Sequence, residues 1–229
     1  MDMPFKEIID LGHEMFHDMP NIGGAQVAFW PISSFTKLET ISGGKLSMES
    51  RMMLMPEHCS THLDVPRHCV QGATDVAGVP LERLVLPGHL LDLTHKGNGE
   101  AITVSDLEAA VRQSGRPIAP GTAVLVWTGT DQDWGKPGFT SERPYIPVET
   151  ATWLVDRQIT LFGTDLIGMD APDEWWWPTH RAWLEAEICM VQQMCNLGAL
   201  VGKAFVLVVV PLKVRDGTGI PVRPIALVM

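Results

Sequence analysis

Apolar residues gather in short runs separated by polar loops rich in glycine and proline. "IIDLGHEM" near the start, "HLLDLTHKG", "TAVLVWTG" and "ITLFGTDL" further on, and "PVRPIALVM" at the end predict strands. "AFVLVVVPLKV" predicts another, too continuously apolar to keep one face in water. "LSMESRMMLMP" alternates in part through Leu46, Met48, Met52 and Leu54, and reads as a strand feeding a histidine-rich segment. Helical spacing marks two stretches. In "TVSDLEAAVRQSG" the residues Leu107, Ala110 and Val111 share one face, with Ser105 as the expected N-cap and Gly115 as the stop. "PVETATWLVDRQ" predicts a second helix.

Helices set between apolar strands predict an α/β or α+β layered domain with a mixed, strand-rich sheet. The pattern alone does not order the strands. With no internal repeat or low-complexity linker, residues 1–229 are expected to form one domain.

Composition narrows the function. A formal net charge of −10, with no block of Lys or Arg, argues against nucleic acid or an anionic membrane as partner. The longest apolar run, Ala204 to Leu212, is about half the roughly 20 residues of a membrane helix. The opening "MDMPFKEIID" lacks a basic segment followed by an apolar one, so no secretory signal is expected. Four widely spaced cysteines predict reduced thiols and a cytoplasmic protein.

The chemistry concentrates in "HCSTHLDVPRHC". His62 and Asp64 lie two apart, so an extended chain turns both to one side, about 6–7 Å apart at Cα. His58 reaches the same point only if the chain bends through Cys59, Ser60 and Thr61. Pro66 keeps Asp64 and Val65 extended, and His68 returns close by. Two imidazoles and a carboxylate suit Zn²⁺ or Mn²⁺ with open positions, the arrangement that hydrolysis by activated water needs. An uncoordinated fourth group, His68, can carry the proton. The bland alternative is a solvated loop. Eight histidines in 229 residues would rarely place three in one eleven-residue window with an aspartate at a ligand offset. Cys59 and Cys69, each one position off, read as small buried hydrophobes.

The segment resembles the H-x-G-T-H-x-D-x-P-x-H signature of the cyclase-type metal-dependent hydrolases, a family with kynurenine formamidases and isatin hydrolases among its members. Further stretches resemble that family in order: "IIDLGHEM", "VPLERLVLPGHLLDL", "APGTAVLVWTG", "LFGTDLIGMDAP", "HRAWLEAEICMVQQMCNLGAL" and "VVVPLKVRDGTGIPVRPIAL". The resemblance implies a swivelling β/β/α sandwich, an α/β fold that forms dimers or tetramers. It also implies His58, His62 and Asp64 as metal ligands and His68 as proton donor and acceptor. His180 and position 192 are implied as further ligands, with Asp165 and Asp170 orienting His180.

This chain departs from the family in three places. Ser60 replaces a glycine and is small enough to leave the bend intact. Gln192 replaces a glutamate, which removes a negative charge; its amide oxygen can still ligate one hard ion, which favours one divalent ion per chain, Mn²⁺ before Zn²⁺, as in isatin hydrolases. "MPNIGGAQVAFWP" replaces the family's early substrate loop, so the pocket lining is the chain's own. Trp30 and Trp176 are the expected substrate wall. The reading is a hydrolase that opens a carbon–nitrogen bond of a small cyclic or aryl amide. The alternatives are a two-zinc arylformamidase, a lactone or ester hydrolase, and an idle metal-binding scaffold.

Overall fold

The computed structural model describes residues 4–21, 25–136, 139, 141 and 143–229, so part of the early loop, residues 22–24, lies outside the described residues. In chain order the elements are β1 (Glu7–Asp10), β2 (Ala28–Ser33), α1 (Phe35–Ser42), β3 (Ser50–Leu54), β4 (His62–Asp64) and β5 (Val85–Asp92). Then come α2 (Val104–Ser114), β6 (Ala123–Trp127), α3 (Val148–Val155), β7 (Leu161–Thr164) and α4 (Pro178–Glu185). The chain closes with β8 (Cys189–Gln192), β9 (Phe205–Val208), β10 (Gly219–Pro221) and β11 (Ile225–Val228).

One mixed sheet runs β1-β11-β9-β5-β6-β7-β8-β4-β10. Its centre, β5 through β8, is parallel, and each parallel step is bridged by one of α2, α3 and α4. Parallel neighbours need such crossovers, which is why helices fall between these apolar runs. The outer strands add on antiparallel. Alternate residues of the central strands feed separate cores. Leu125, Leu161 and Val191 join Leu63 and Leu207 on one face, while Val124, Phe162 and Met190 join the helices on the other. Trp183 of α4 stacks on Phe162 at 4.0 Å between ring centroids. Both faces are covered, so the strands read as continuous apolar runs.

Four expectations change. The N-cap of α2 is Thr103, not Ser105: Thr103 Oγ1 accepts from the Asp106 backbone N–H, and the Asp106 carboxylate accepts from the Thr103 backbone N–H. This reciprocal box starts the helix earlier than a lone serine would. On β9, Phe205 and Leu207 are buried while Val206 and Val208 are half-buried, because the helices pack toward β5 and β8 instead. The partly alternating segment before the histidines is strand only from Ser50. It pairs with β2 in a separate ribbon outside the main sheet. Ile32, Met53 and Leu54 of that ribbon stay exposed. Finally, α1 and α4 have no counterpart among the expected helices. Each spans eight residues, too few for a periodic signal to stand out. Among the described residues no helix is long and apolar enough to cross a membrane.

Candidate metal centre

The site is built on β4, three buried residues between β8 and β10. Register sets His62 opposite Gln192 and Asp64 opposite Gly219. His62 and Asp64, two apart on a strand, project to the same side. The bend that returns His58 is made at Ser60, whose φ of 53° is left-handed. Thr61 braces it by donating from Oγ1 to the Gln193 carbonyl at 2.5 Å and accepting the His13 backbone N–H at 2.9 Å. The three predicted ligands thereby meet. His58 Nδ1 lies 2.7 Å and His62 Nε2 3.2 Å from Asp64 Oδ1.

Serine at this bend is not neutral. A left-handed side chain costs about 1–2 kcal/mol, and among the described residues the buried Ser60 hydroxyl has no hydrogen-bond partner. Ser60→Gly is therefore expected to raise stability by about 1 kcal/mol, after allowance for the freer unfolded glycine. Urea unfolding checks it; an unchanged or lower midpoint would count against strain at this bend.

The donor chemistry fits a divalent cation. The His62 Nδ1–H donates to the Ser60 carbonyl at 2.8 Å, so its Nε2 lone pair points at a carboxylate oxygen. Two acceptors at that separation are reconciled by a positive charge between them. Without an ion a proton supplies that charge, as the titration directions show. Burial opposes ionisation of Asp64, yet His62 and His58 hold it well below the ordinary carboxylate range. Burial would likewise depress His62, and Asp64 together with the Ser60 carbonyl raises it instead.

Gln192 and His180 arrive differently from the expectation. The Gly168 backbone N–H donates to Gln192 Oε1 at 2.8 Å, which fixes the amide orientation because an N–H needs an acceptor. The amide nitrogen consequently faces inward, 2.5 Å from Asp64 Oδ2 and 3.1 Å from His180 Nε2. Gln192 is thus a hydrogen-bond donor to Asp64 rather than an oxygen ligand. His180 on α4 donates through Nδ1 to Asp170 Oδ2, and its remaining nitrogen meets the Gln192 amide instead of the Asp64 oxygen that His58 and His62 share.

Asp170 orients His180 as expected, whereas Asp165 does not. Asp165 accepts from the Thr128 backbone N–H at 3.0 Å and its hydroxyl at 2.9 Å, joining the ends of β6 and β7. Burial pushes its pKa up to about 6. An acid that holds its proton more tightly in the fold contributes stability below the ordinary carboxylate range and loses it as pH rises through the folded pKa. Asp165→Asn is expected to be about 2 kcal/mol more stable than the parent at neutral pH, the gap closing near pH 4. Urea unfolding at both pH values tests this, and a pH-independent gap would refute it.

His68 follows the turn Pro66–His68, its ring 3.9 Å from that of His58 and 5.7 Å from Trp177 between centroids. Ligand atoms of His58, Asp64 and His68 lie within 4.8 Å of one another. Burial, aided by the neighbouring imidazoles and opposed by Asp64, pushes His68 down to about 4, leaving it a neutral base at pH 7. Burial also pushes the thiols of Cys59 and Cys69 up to about 11, which keeps them unreactive.

These side chains open onto a cavity of about 640 Å³. Trp30 sits 43% exposed on the β2–β3 ribbon and Trp176 is 52% exposed; neither lines it. Trp175 and Trp177 do, together with Arg143 and Gln193. Among the described residues, Arg143 Nε and Gln193 Oε1 are buried without partners. Sequence reasoning missed Gln193 because a left-handed residue (φ 53°) breaks strand alternation and turns two consecutive glutamines to the cavity. His13 stacks on Trp134 at 4.3 Å and lines a separate depression.

A mixed α/β sheet carrying two histidines and an aspartate on one carboxylate-centred point defines a metal-dependent hydrolase scaffold. The profile of the family described as Cyclase matches residues 9–171. This chain belongs to the cyclase-type metal-dependent hydrolase family. It is 28% identical over 194 residues to an isatin hydrolase of Roseibium aggregatum, covering 77% of this chain and 73% of the relative. It is 27% identical over 176 residues to a kynurenine formamidase of Maricaulis maris, covering 76% and 78%. Among solved structures, isatin hydrolase A from Ralstonia solanacearum superposes with a TM-score of 0.85 at 24% identity, over 97% of this chain and 92% of that one.

Proposed function

We propose that this protein hydrolyses the carbon–nitrogen bond of a small cyclic or aryl amide of the isatin type, at one divalent cation held by His58, His62 and Asp64. The observation that carries the single-ion reading is the Gln192 amide, whose N–H groups stand toward Asp64 and His180 where a carboxylate would offer oxygens. Two imidazoles and a carboxylate suit Mn²⁺ or Zn²⁺, and the resemblance to isatin hydrolases puts Mn²⁺ first. Bound there, the cation supplies Lewis acidity toward a carbonyl and water.

The chain's own residues do the rest. Neutral His68 accepts the proton of the attacking water and returns it to the leaving nitrogen. Trp175 and Trp177 shelter a flat ring, and Arg143 brings a guanidinium to the cavity wall for an acyl oxygen. Lactones and esters pass through the same tetrahedral species and are expected as slower substrates. The apolar ribbon supports a homodimer or homotetramer. Four free thiols suit a reducing cytoplasm.

The kynurenine formamidase relative supports a second reading, an arylformamidase with two zinc ions. Elemental analysis together with hydrolysis of isatin and N-formylkynurenine separates them. One ion per chain with isatin opening supports the proposal; two ions with turnover of the formamide alone reject it. Metal uptake without hydrolysis of amides, lactones or esters would leave a scaffold.

A further inference from the structure

We propose that Glu57 is a positioning residue for the metal-binding nitrogen of His58, acting through Thr218; this rests on the reading that His58 binds the cation. Thr218 lies just before β10, 160 residues from His58, yet its Oγ1 is 2.9 Å from His58 Nε2. The same hydroxyl is 2.5 Å from Glu57 Oε2, and that oxygen also accepts the Thr218 backbone N–H at 3.0 Å.

The proton count settles the direction. A carboxylate oxygen only accepts, so the single hydroxyl proton of Thr218 goes to Glu57. Toward His58 the hydroxyl then presents a lone pair, and His58 Nε2 must carry the hydrogen. In the neutral imidazole Nδ1 is then left bare, and Nδ1 is the nitrogen that faces Asp64 Oδ1 at 2.7 Å. The opposite tautomer would set two lone pairs against each other at Thr218 or pull the hydroxyl off Glu57.

Gly219 makes room for this ring. A Cβ built there would lie 2.4 Å from His58 Cε1 and 2.7 Å from Nδ1, so the imidazole takes this place only because residue 219 has no side chain. Glu57 adds its charge behind the donor, which strengthens Nδ1 as a ligand in the way outer carboxylates strengthen metal-bound histidines. The residue stands immediately before the histidine signature, and nothing in the sequence links it to Thr218.

The test reads metal affinity and tautomer, not turnover. Mn²⁺ titration followed by electron paramagnetic resonance is expected to show about tenfold to a hundredfold weaker binding in Glu57→Ala and Thr218→Val, with Thr218→Ser close to the parent. In the Zn²⁺-loaded parent protein, long-range ¹H–¹⁵N correlation is expected to find the His58 proton on Nε2. Glu57→Ala frees the Thr218 proton to turn toward His58, so a second tautomer appears there. Parent-like affinity in folded Glu57→Ala, or a parent protein with the His58 proton on Nδ1, overturns the proposal. Should Thr218→Val fail to fold, Glu57→Ala, at a half-buried position, still decides. A parent chain that binds neither Mn²⁺ nor Zn²⁺ would instead sink the metal-site reading, and this proposal with it.

Discussion

Exchanging Asp64 for asparagine is expected to abolish turnover and divalent-cation uptake together, with the rate falling about a thousandfold, the equivalent of ~4 kcal/mol. The substitution keeps shape and removes charge. Asp64 is fully buried, and one of its oxygens is shared by His58 Nδ1 and His62 Nε2 while the other accepts from Gln192. An asparagine must turn either its NH₂ toward the Gln192 NH₂, donor against donor, or the same NH₂ toward the histidine nitrogens. Either way the negative charge that gathers a cation is gone. Calorimetric titration with Mn²⁺ and Zn²⁺ alongside an activity assay measures both losses. Retained affinity would mean that the cation is held elsewhere.

His68→Asn is expected to separate what Asp64→Asn loses jointly. Its kcat should drop by about 10² to 10⁴ while metal affinity and stoichiometry stay near the parent values. Three neighbouring imidazoles each have a nitrogen tied to a protein group, His58 to Thr218, His62 to the Ser60 carbonyl and His180 to Asp170. Among the described residues, no protein group hydrogen-bonds the ring nitrogens of His68, and the residue lines the cavity. A base that must take up and release a proton needs that freedom, whereas a ligand needs to be held. Its position within 4.8 Å of the ligand atoms of His58 and Asp64 makes the alternative concrete. If the asparagine variant loses the ion, His68 is a ligand and the proton carrier must be sought among the remaining cavity residues.

The two outcomes also bear on the amide at position 192. Gln192 is held by Gly168 on its oxygen and gives its hydrogens to Asp64 and His180, so it spans the space between the two histidine clusters. A carboxylate there could not donate to Asp64 and would repel it. The substitution visible in the sequence therefore changes both the charge and the hydrogen-bond polarity of the site.

Local rules carried the sequence reading where one segment supplies its own geometry. His62 and Asp64 share a side because strand alternation is a property of the backbone, and a bend through Ser60 was required once His58 was to join them. The central strands were legible because burial on both faces leaves an unbroken apolar run. What could not be read locally depended on distant partners. The glutamine's orientation is set by Gly168, the tautomer of His58 by Glu57 through Thr218, and the role of Asp165 by Thr128. Trp176 was misassigned for the same reason, since which of the three consecutive rings meet the cavity depends on how α4 begins. Trp177 takes a left-handed conformation there.

By itself, then, the chain's order of residues determined that an α/β domain would form and that one short segment would gather two imidazoles and a carboxylate. These follow from periodicity and from spacing of a few residues, which the backbone converts directly into direction. Only the tertiary structure decided which atoms of those side chains carry hydrogens, which glutamine oxygen is spoken for and which aromatic rings wall the cavity. Hydrogen-bond polarity is fixed by the partner on the other side, and here the decisive partners, Gly168 and Thr218, lie 24 and 160 residues away from the groups they set.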